Sequence, residues 1–320
     1  MRMIDTIKLW LPSEDLSNTD IMAELPLKLT NTSTKIDDKT GRTTVRGYLD
    51  SLSVLLSDTG ICISGSLSKY YKGNNMHTLS FIEIKEALDL LGDKLGVSVE
   101  QARVRRLDIT ENYVVDYPVL NYFQQMGDMT YYNKSQMNGG LYYNGSKQTI
   151  LFYDKVKERK TKKEPVLECY INKNVFRYEL RFMKRLGEQF DRESLLVSDL
   201  LDKAFFKDLL IIYINQYRKI YKHKSVVHYS KLQINDRNEF WKQIKLHGMQ
   251  ALGGEVLLLQ TVRQARKDKV FKNKMAATRI IKEIKDVYQT STLTDSCSLI
   301  DELDNKIETK INEYVKLNLE

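Results

Sequence analysis

Cysteine, histidine and long apolar runs are all scarce in this chain of 320 residues. The three cysteines are odd in number and form no Cys-x-x-Cys pair, so neither a zinc site nor a disulfide framework is expected. The longest apolar run, residues 209–214, is far too short to cross a bilayer. The first residues also lack the apolar stretch and cleavage site of a signal peptide. We therefore expect a cytoplasmic protein that has no membrane partner.

The charge balance favours a polyanionic partner. The chain has 50 Lys and Arg residues against 42 Asp and Glu residues, a net charge of +8. It also has 19 tyrosines, whose rings can stack on unpaired bases. Hydrophobic residues make up 42% of the chain and charged residues 29%, which is typical of a folded soluble protein. These features favour nucleic-acid binding, but the excess of positive charge is too modest to establish it alone.

The first part of the chain has the pattern of a sheet. Residues 3–10 alternate loosely, and short runs rich in β-branched residues lie between turn sequences. Proline is tolerated in the first turn of a helix, so Pro118 is expected to open one that ends near Met126. Apolar spacing predicts another helix at Glu86–Leu95. The other predicted strands are Thr44–Asp50, Gly60–Ser66, Thr78–Lys85, Arg103–Thr110, Gly140–Asn144, Gln148–Val156, Val166–Ile171 and Val175–Phe182.

After Lys184 the pattern changes to helical periodicity. The predicted helices are Glu193–Lys222, Arg237–Gln250, Glu255–Asp286 and Ile300–Leu319. We predict an α+β fold, with a mainly antiparallel sheet that has one polar catalytic face and helices on the other, followed by a helical C-terminal region. The predicted domains are residues 1–190 and 191–320. A helix-turn-helix within residues 237–264 would give the second domain a DNA-binding role, but ordinary packing of a helical bundle explains the same pattern.

Four of the predicted strands share a pattern in which charged and apolar residues alternate. Because residues two apart lie on the same face of a strand, pairing these strands would gather their polar side chains on one side of the sheet. A half-exposed sheet with cross-strand ion pairs has the same pattern. Three carboxylates repel each other unless a cation joins them, which favours a functional site. The polar set comprises Glu83, Lys85, Arg106, Asp108, Tyr153, Lys155, Arg177, Glu179 and Arg181.

These residue types fit the transesterification of a phosphodiester. Glu83, Asp108 and Glu179 would supply hard oxygen ligands, which suit Mg²⁺ or Mn²⁺. A tyrosine phenol has a pKa of about 10, and a nearby metal or Lys155 would favour the phenolate form of Tyr153. Attack by this oxygen would leave a 5′-phosphotyrosine and a free 3′ hydroxyl, which can later reverse the reaction and rejoin the strand.

Basic residues near Tyr153 are the candidates for contacts with phosphates. Arg106 is expected to act in catalysis by helping to hold the scissile phosphate. The segment Lys155–Lys163 has six basic residues within nine positions, just past Tyr153. A solvated loop at the end of a strand would have the same composition. The expected DNA contacts are Lys157, Arg159, Lys160, Lys162, Lys163, Arg177 and Arg181.

Several short motifs of the first 190 residues carry a family resemblance. They are Met3-Ile4-Asp5 with Leu9–Pro12, Ile82–Lys85, Arg106–Asp108, Thr149–Lys155 and Arg177–Arg181. Together they resemble the gene II/X-type replication initiators of filamentous phages, a family of phage and plasmid rolling-circle proteins. The segment Thr149–Lys155 is similar to the one that bears this family's nucleophilic tyrosine. The resemblance implies nicking and joining of one DNA strand at an origin, with dependence on a divalent metal.

The same resemblance implies the partners and the compartment. The partners would be single-stranded or supercoiled origin DNA and a host helicase, in the cytoplasm of a prokaryotic cell. The chain departs from the wider class of rolling-circle initiators, many of which hold their metal with a His-hydrophobe-His pair. None of its four histidines, His77, His223, His228 and His247, has that spacing. Any metal must therefore rest mainly on carboxylates, and His223 and His228 are expected to be solvated.

Two other functions remain open at this point. One is a non-catalytic DNA-binding regulator that uses the basic segment and the helical region. The other is a hydrolytic metal nuclease in which Tyr153 belongs to the core. If the nucleophile is a different tyrosine, the next candidates are Tyr142, Tyr143 and Tyr170. Tyrosine recombinase chemistry is not expected, because no Arg…His-x-x-Arg set precedes a C-terminal tyrosine.

Overall fold

The computed structural model describes residues 3–16, 21–222, 225–226, 236–273, 275–289, 295–296 and 298–317. His223, His228 and Cys297 lie outside these ranges. The chain divides into two compact units. Unit 1 comprises Met1–Val119, Tyr131–Arg218 and Lys306–Glu320, and unit 2 comprises Leu120–Thr130 and Lys219–Asn305. The functional division near residue 190 and a DNA-binding role for the C-terminal part stay predictions.

Unit 1 contains a single ten-stranded sheet in which every neighbouring pair is antiparallel. The strands are β1 (Ile4–Pro12), β2 (Thr30–Ile36), β3 (Thr43–Leu49), β4 (Leu52–Ser57), β5 (Gly60–Ser66), β6 (Arg103–Val115), β7 (Asn133–Met137), β8 (Gly140–Asn144), β9 (Gln148–Asp154) and β10 (Asn174–Phe182). Their order across the sheet is β2-β3-β4-β5-β1-β6-β10-β9-β8-β7. The α+β class predicted from the sequence is confirmed, and β6, β10 and β9 are adjacent.

Helices account for most of the remaining described residues. They are α1 (Ile21–Lys28), α2 (Leu67–Lys72), α3 (Phe81–Leu95), α4 (Val119–Gln125), α5 (Lys155–Thr161), α6 (Leu186–Gln189), α7 (Val197–Leu200), α8 (Lys203–Arg218), α9 (Arg237–Ala251), α10 (Gly254–Lys267), α11 (Ala276–Gln289) and α12 (Ser298–Leu317). A two-residue ribbon pairs β11 (Ser225–Val226) with β12 (Asp295–Ser296). Across the described ranges, no helix combines the length and apolar character needed to cross a bilayer.

The apolar face of the central strands packs on α8. Tyr178 of β10 stacks on Tyr213 of α8 with ring centroids 4.0 Å apart. Each of these two hydroxyls donates to the other residue's backbone carbonyl, at 2.9 and 3.1 Å. Phe152 of β9 lies 4.9 Å from the ring of Tyr178 and is fully buried. The alternation of β9 and β10 therefore places large rings in the core, which leaves their polar side chains on the opposite face.

The strand predicted at Thr78–Lys85 is wrong. This segment is the start of α3, which begins after Ser80. The Ser80 side chain accepts from the backbone N–H of Glu83, and the Glu83 side chain accepts from the backbone N–H of Ser80, so the two residues form a capping box. The alternation of Ile82 and Ile84 with charged residues is only local, because the apolar residues continue at helical spacing as far as Leu95.

Other differences from the prediction concern boundaries and short elements. The strand predicted at Val166–Ile171 is instead a 3-10 turn at Glu168–Tyr170. The long helix predicted at Glu193–Lys222 is broken into α7 and α8, and that at Glu255–Asp286 into α10 and α11. The strands β2, β4 and β7 were not predicted. In β7 the polar sequence of a sheet edge gives no apolar alternation, since four of its five residues are exposed.

Candidate active site

Tyr153 lies near the end of β9, on the polar face of the sheet. It is directly opposite Arg177 of β10 on one side and Gly140 of β8 on the other. Directly paired residues lie on the same face, so Arg177, Glu179 and Arg181 share the face of Tyr153. Asp108 of β6 is opposite Arg181 and joins the same face. The structure thus brings together the polar residues that strand alternation predicted for β6, β9 and β10.

The hydroxyl of Tyr153 donates a hydrogen bond to Oε1 of Glu179 at 2.7 Å. The Tyr153 side chain is partly buried. Burial raises the pKa of its phenol well above the usual value, and the charge of Glu179 acts in the same direction, while Arg177 opposes both. The phenol is therefore protonated in this arrangement, and its proton is already directed at a carboxylate.

Carboxylates and guanidinium groups alternate along the polar face and form what we call the arginine–carboxylate chain. Its members, in spatial order, are Asp5, Arg177, Glu179, Arg181, Asp108 and Arg106. With three acids and three arginines it has no net formal charge. Each acid lies beside at least one arginine, as buried charges require.

The inner end of this chain is buried. Arg177 donates from Nη2 to Asp5 Oδ2 at 2.6 Å and from Nε to Glu179 Oε1 at 3.1 Å. Its Nη1 donates to the backbone carbonyl of Asn75 and to Oδ1 of Asn112, at 2.8 and 3.3 Å. With a side chain only 1% exposed, Arg177 has no surface to offer DNA, which corrects its predicted role as a DNA contact. It positions the carboxylate that holds Tyr153.

The outer end of the chain reaches the surface. Arg181 donates from Nε and Nη2 to Glu179 Oε2, at 3.0 and 2.6 Å, and its side chain is 25% exposed. Arg106 donates from Nε and Nη2 to the two oxygens of Asp108, at 2.8 and 2.6 Å, and is 31% exposed. These two guanidinium groups are therefore accessible to an incoming phosphate.

The two carboxylates on either side of Arg181 have opposite pKa shifts. Burial acts to raise the pKa of Glu179, but the charges of Arg177 and Arg181 outweigh it and hold that pKa at about 2. Burial raises the pKa of Asp108 to about 6, although Arg106 acts to lower it. Glu179 is thus ionised, while Asp108 takes up a proton more readily than an ordinary aspartate does.

Lys155 is the first residue of α5, not part of a strand as predicted. Its ammonium donates to Asn75 Oδ1 at 3.0 Å and to Glu158 Oε2 at 2.9 Å, and its side chain is 1% exposed. Burial and the charge of Arg177 lower its pKa to about 8, against the effect of Glu158. Its Nζ lies 5.8 Å from the centre of the Tyr153 ring. It supports the ring electrostatically, with no hydrogen bond between the two side chains among those observed.

The basic segment after Tyr153 is a helix, not the loop considered from the sequence. The side chain of Asp154 caps α5 by accepting from the backbone N–H of Lys157 at 2.9 Å. Arg159 is turned inward: it donates to the carbonyl of Pro165 and to Glu164, and it is 3% exposed, so it is not a surface for DNA. The other predicted contacts of this segment, Lys157, Lys160, Lys162 and Lys163, are exposed.

Glu83 does not join the polar face. It lies in the first turn of α3, where it also pairs with Lys72 at 2.7 Å. The predicted metal set of Glu83, Asp108 and Glu179 is therefore not formed. In the described ranges no three acidic, histidine or cysteine side chains stand together as a metal site. Asp108 and Glu179 both hold arginines with their oxygens, so these residues do not fit a divalent cation as they are arranged.

Three members of the site were missed from the sequence. Asp5 of β1 was noted only for the family resemblance, although a charged residue within an apolar strand is itself a signal of a buried ion pair. Ser66 also donates to its carboxylate. Asn75 and Asn112 orient Arg177 and Lys155, and no sequence pattern singles them out.

A comparison with known protein families finds one family model that matches more than half of the chain. The family model described as the N-terminal part of a replication-associated protein, the phage gene II protein, matches residues 3–203, which include the entire arginine–carboxylate chain and Tyr153. No curated protein sequence matches the chain. The resemblance inferred from the short motifs is thereby confirmed. The chain belongs to the family of replication-associated proteins that includes the gene II-type replication initiators of filamentous phages.

Proposed function

We propose that this replication-associated protein nicks and rejoins one strand of origin DNA through a covalent bond to Tyr153. The observation that carries the proposal is the hydrogen bond from the Tyr153 hydroxyl to Glu179, whose oxygens are held by two arginines. A nucleophile paired with an oriented proton acceptor is the arrangement that nucleophilic catalysis requires. It lies on a polar face that a phosphodiester can approach.

The proposed step transfers a phosphoryl group between two oxygens. The phenolic oxygen of Tyr153 attacks the scissile phosphorus and its proton passes to Glu179. The bond from phosphorus to the 3′ oxygen breaks, and that oxygen takes a proton from solvent to become a 3′ hydroxyl. The 5′ phosphate stays attached to Tyr153. Attack by a 3′ hydroxyl reverses each of these changes and seals the strand.

Arg181 and Arg106 are the groups proposed to hold the scissile phosphate. Their exposed guanidinium groups suit bidentate binding of phosphate oxygens. A phosphate that takes Arg181 away from Glu179 removes one of the two charges that hold the pKa of Glu179 at about 2. Glu179 then becomes a stronger base, so the arrival of the substrate activates the proton acceptor of Tyr153.

The predicted cation, Mg²⁺ or Mn²⁺, stays a separate prediction. Because the acids of the arginine–carboxylate chain hold arginines, no step above depends on a metal. Cleavage that is lost in EDTA and restored by either ion would keep the cation requirement, whereas equal cleavage in EDTA and in Mn²⁺ would remove it from the proposal.

The exposed lysines of α5 are proposed to contact the phosphates that flank the cleavage position. Lys157, Lys160, Lys162 and Lys163 lie on the helix that starts next to Tyr153, or just past its end. Origin DNA is the partner that a replication initiator of this family would bind. Recruitment of a host helicase and a place in the cytoplasm of a prokaryotic cell stay predictions.

The test is covalent capture of DNA. Overlapping labelled single strands that cover the replicon encoding this chain are incubated with the protein, with and without Mn²⁺, and separated by denaturing electrophoresis. We expect label to migrate with the protein, and Tyr153→Phe to abolish that band. Tyr131→Phe is the matched control, because Tyr131 is 95% exposed, and it should label normally.

The alternatives give different results in the same experiment. A hydrolytic nuclease would release a 5′ phosphate that carries no protein. A non-catalytic DNA-binding protein would retain intact strands in a salt-dependent way. An adduct that survives Tyr153→Phe would contradict the assignment of the nucleophile.

A further inference from the structure

A cavity of about 410 Å³ opens beside Tyr153, between the β8–β9 hairpin and α5. This volume lies within the range of about 300–1,000 Å³ that small-ligand sites occupy. The lining residues that bear on its chemistry are Gly140, Tyr142, Tyr153, Lys157, Lys162 and Arg181. The cavity therefore contains the proposed nucleophile and one of the arginines proposed to hold the scissile phosphate.

The aromatic wall of this cavity lies on β8, which follows a tight turn. Asn138 and Gly139 both have positive φ, 51° and 74°, and connect strands that pair at Met137 and Gly140. This is the two-residue hairpin that Asn-Gly favours. It fixes the register of β7 against β8. In the neighbouring pair of β8 with β9, Gly140 is opposite Tyr153 and Tyr142 is opposite Leu151. Tyr142 is thus on the same face as Tyr153, one strand away.

The absence of a side chain at Gly140 leaves room for the ring of Tyr142. A Cβ at Gly140 would lie 3.2 Å from Cε2 of Tyr142, closer than ordinary van der Waals contact. The ring therefore leans over Gly140, the position directly across from Tyr153. Its side chain is only partly buried, and it lines the cavity.

The opposite wall combines two lysines with two acids. Lys157 and Lys162 of the α5 segment line it, and Lys157 is exposed. Of the two acids, Glu158 pairs with both Lys155 and Lys162, and Asp154 accepts from the backbone N–H of Lys157 as the cap of α5. An aromatic surface facing lysines is the combination that binds an unpaired nucleotide, with the base stacked and its phosphate neutralised.

We propose that this cavity, the Tyr142 pocket, binds one unpaired nucleotide next to the scissile phosphate, with its base stacked on Tyr142 and its phosphate beside Lys157 and Lys162. The inference rests on the proposed function, since Tyr153 supplies the cleavage. A base within a duplex is stacked between its neighbours and cannot enter such a pocket. The protein therefore requires DNA that is single-stranded or locally melted at the cleavage position.

The test measures binding without covalent chemistry. In a Tyr153→Phe background, affinity is measured for oligo(dT) and for an abasic strand of the same length and charge. Stacking of one base predicts that Tyr142→Ala weakens oligo(dT) binding by roughly five- to 150-fold. It should leave abasic-strand binding nearly unchanged, and Tyr142→Phe should retain both affinities because the ring remains.

Controls separate this result from a loss of structure or of phosphate contacts. Tyr131→Ala should change neither affinity, and Lys157→Gln should lower the affinity for both strands alike. Photo-crosslinking with 5-bromouracil in place of thymine should label the peptide that contains Tyr142. If Tyr142→Ala lowers the affinity for both strands equally, or if crosslinks form only at other peptides, the proposed nucleotide pocket is wrong.

These measurements do not depend on cleavage. Base-dependent binding through Tyr142 together with no adduct at Tyr153 would reject the proposed function and keep the pocket. Adduct formation at Tyr153, together with DNA binding that does not depend on Tyr142, would keep the proposed function and reject the pocket.

Discussion

The basic side chains around Tyr153 form two layers that differ in their partners. The inner layer comprises Lys155, Arg159 and Arg177, and the outer layer comprises Arg106, Arg181, Lys157, Lys160, Lys162 and Lys163. The inner side chains are at most 3% exposed and are bonded to acids and carbonyls within the fold. The outer side chains are partly or largely exposed and can exchange their contacts for phosphates. Positive charge in the inner layer builds the site, whereas in the outer layer it is available to DNA.

The largest expected effect comes from the inner layer. Arg177→Met leaves Asp5 and Glu179 buried without their shared counterion, so we expect the free energy of unfolding to fall by about 3–5 kcal/mol. Urea denaturation monitored by circular dichroism measures this loss. Arg181→Met, at a partly exposed position, should cost clearly less. Equal losses in the two variants would erase the distinction between the layers.

The outer layer should affect chemistry more than stability. In Arg181→Gln we expect the rate of adduct formation to fall roughly 10²–10³-fold, because one charged donor to the scissile phosphate is lost. The rate is followed by quenched-flow sampling of the covalent band. The midpoint of thermal unfolding should stay close to that of the unaltered protein. A variant with normal rate and lowered stability would place Arg181 in the inner layer.

The two carboxylates beside Arg181 predict opposite responses to pH. The pKa of Asp108 is raised from 3.8 to about 6 in the fold, so between these values the native state binds more protons than the unfolded chain. The contribution of Asp108 to the free energy of unfolding therefore falls as pH rises from about 4 to about 6. Asp108→Asn should remove this dependence on pH, which amounts to roughly 1–3 kcal/mol in the free energy of unfolding. Urea titrations at several pH values across this range measure it.

Glu179 has the reverse sign. Its pKa is lowered from 4.5 to about 2, so its contribution is fully present above pH 4.5 and is lost as pH falls towards 2. Glu179→Gln should therefore weaken the dependence of stability on pH at the acid end, between pH 4.5 and 2. A Glu179→Gln variant that still loses as much stability between pH 4.5 and 2 as the unaltered protein would contradict this assignment.

The smallest effect concerns the exposed lysines of the α5 segment. Lys160→Gln and Lys163→Gln should each reduce the slope of log K against log salt concentration by about 0.7 for single-stranded DNA. Fluorescence anisotropy at several salt concentrations measures these slopes. Their neighbour Arg159 serves as the contrast, since Arg159→Gln should lower stability and leave the salt slope unchanged. Identical slopes in the three variants and the unaltered protein would remove this segment from the DNA interface.

The sequence was informative where alternation extended over a whole strand. In β10 the charges of Arg177, Glu179 and Arg181 alternate with large apolar residues, and the strand places them on one face as predicted. The segment Ile82–Lys85 has the same short alternation but forms a helix. Ser80 and Glu83 cap that helix, and a four-residue alternation cannot outweigh a capping box followed by helical spacing.

The remaining parts of the site depend on distant contacts. Asp5 and Arg177 are 172 residues apart in the chain, and their pairing follows from β6 lying between β1 and β10. Asn75 reaches Lys155 and Arg177 from a loop with no pattern of its own. The inward turn of Arg159 depends on the carbonyl of Pro165. Residue types and spacing do not encode such contacts, so burial could not be assigned to individual basic residues.

The central claim is that Tyr153 becomes the attachment point of the cut strand. The most direct measurement is mass spectrometry of the protease-digested adduct, after nuclease treatment has trimmed the DNA to a short remnant. We predict one modified peptide, with a 5′-linked nucleotide on the oxygen of Tyr153. A nucleotide attached to Tyr142, Tyr170 or any other residue, or strand cleavage that leaves every peptide unmodified, would contradict the account.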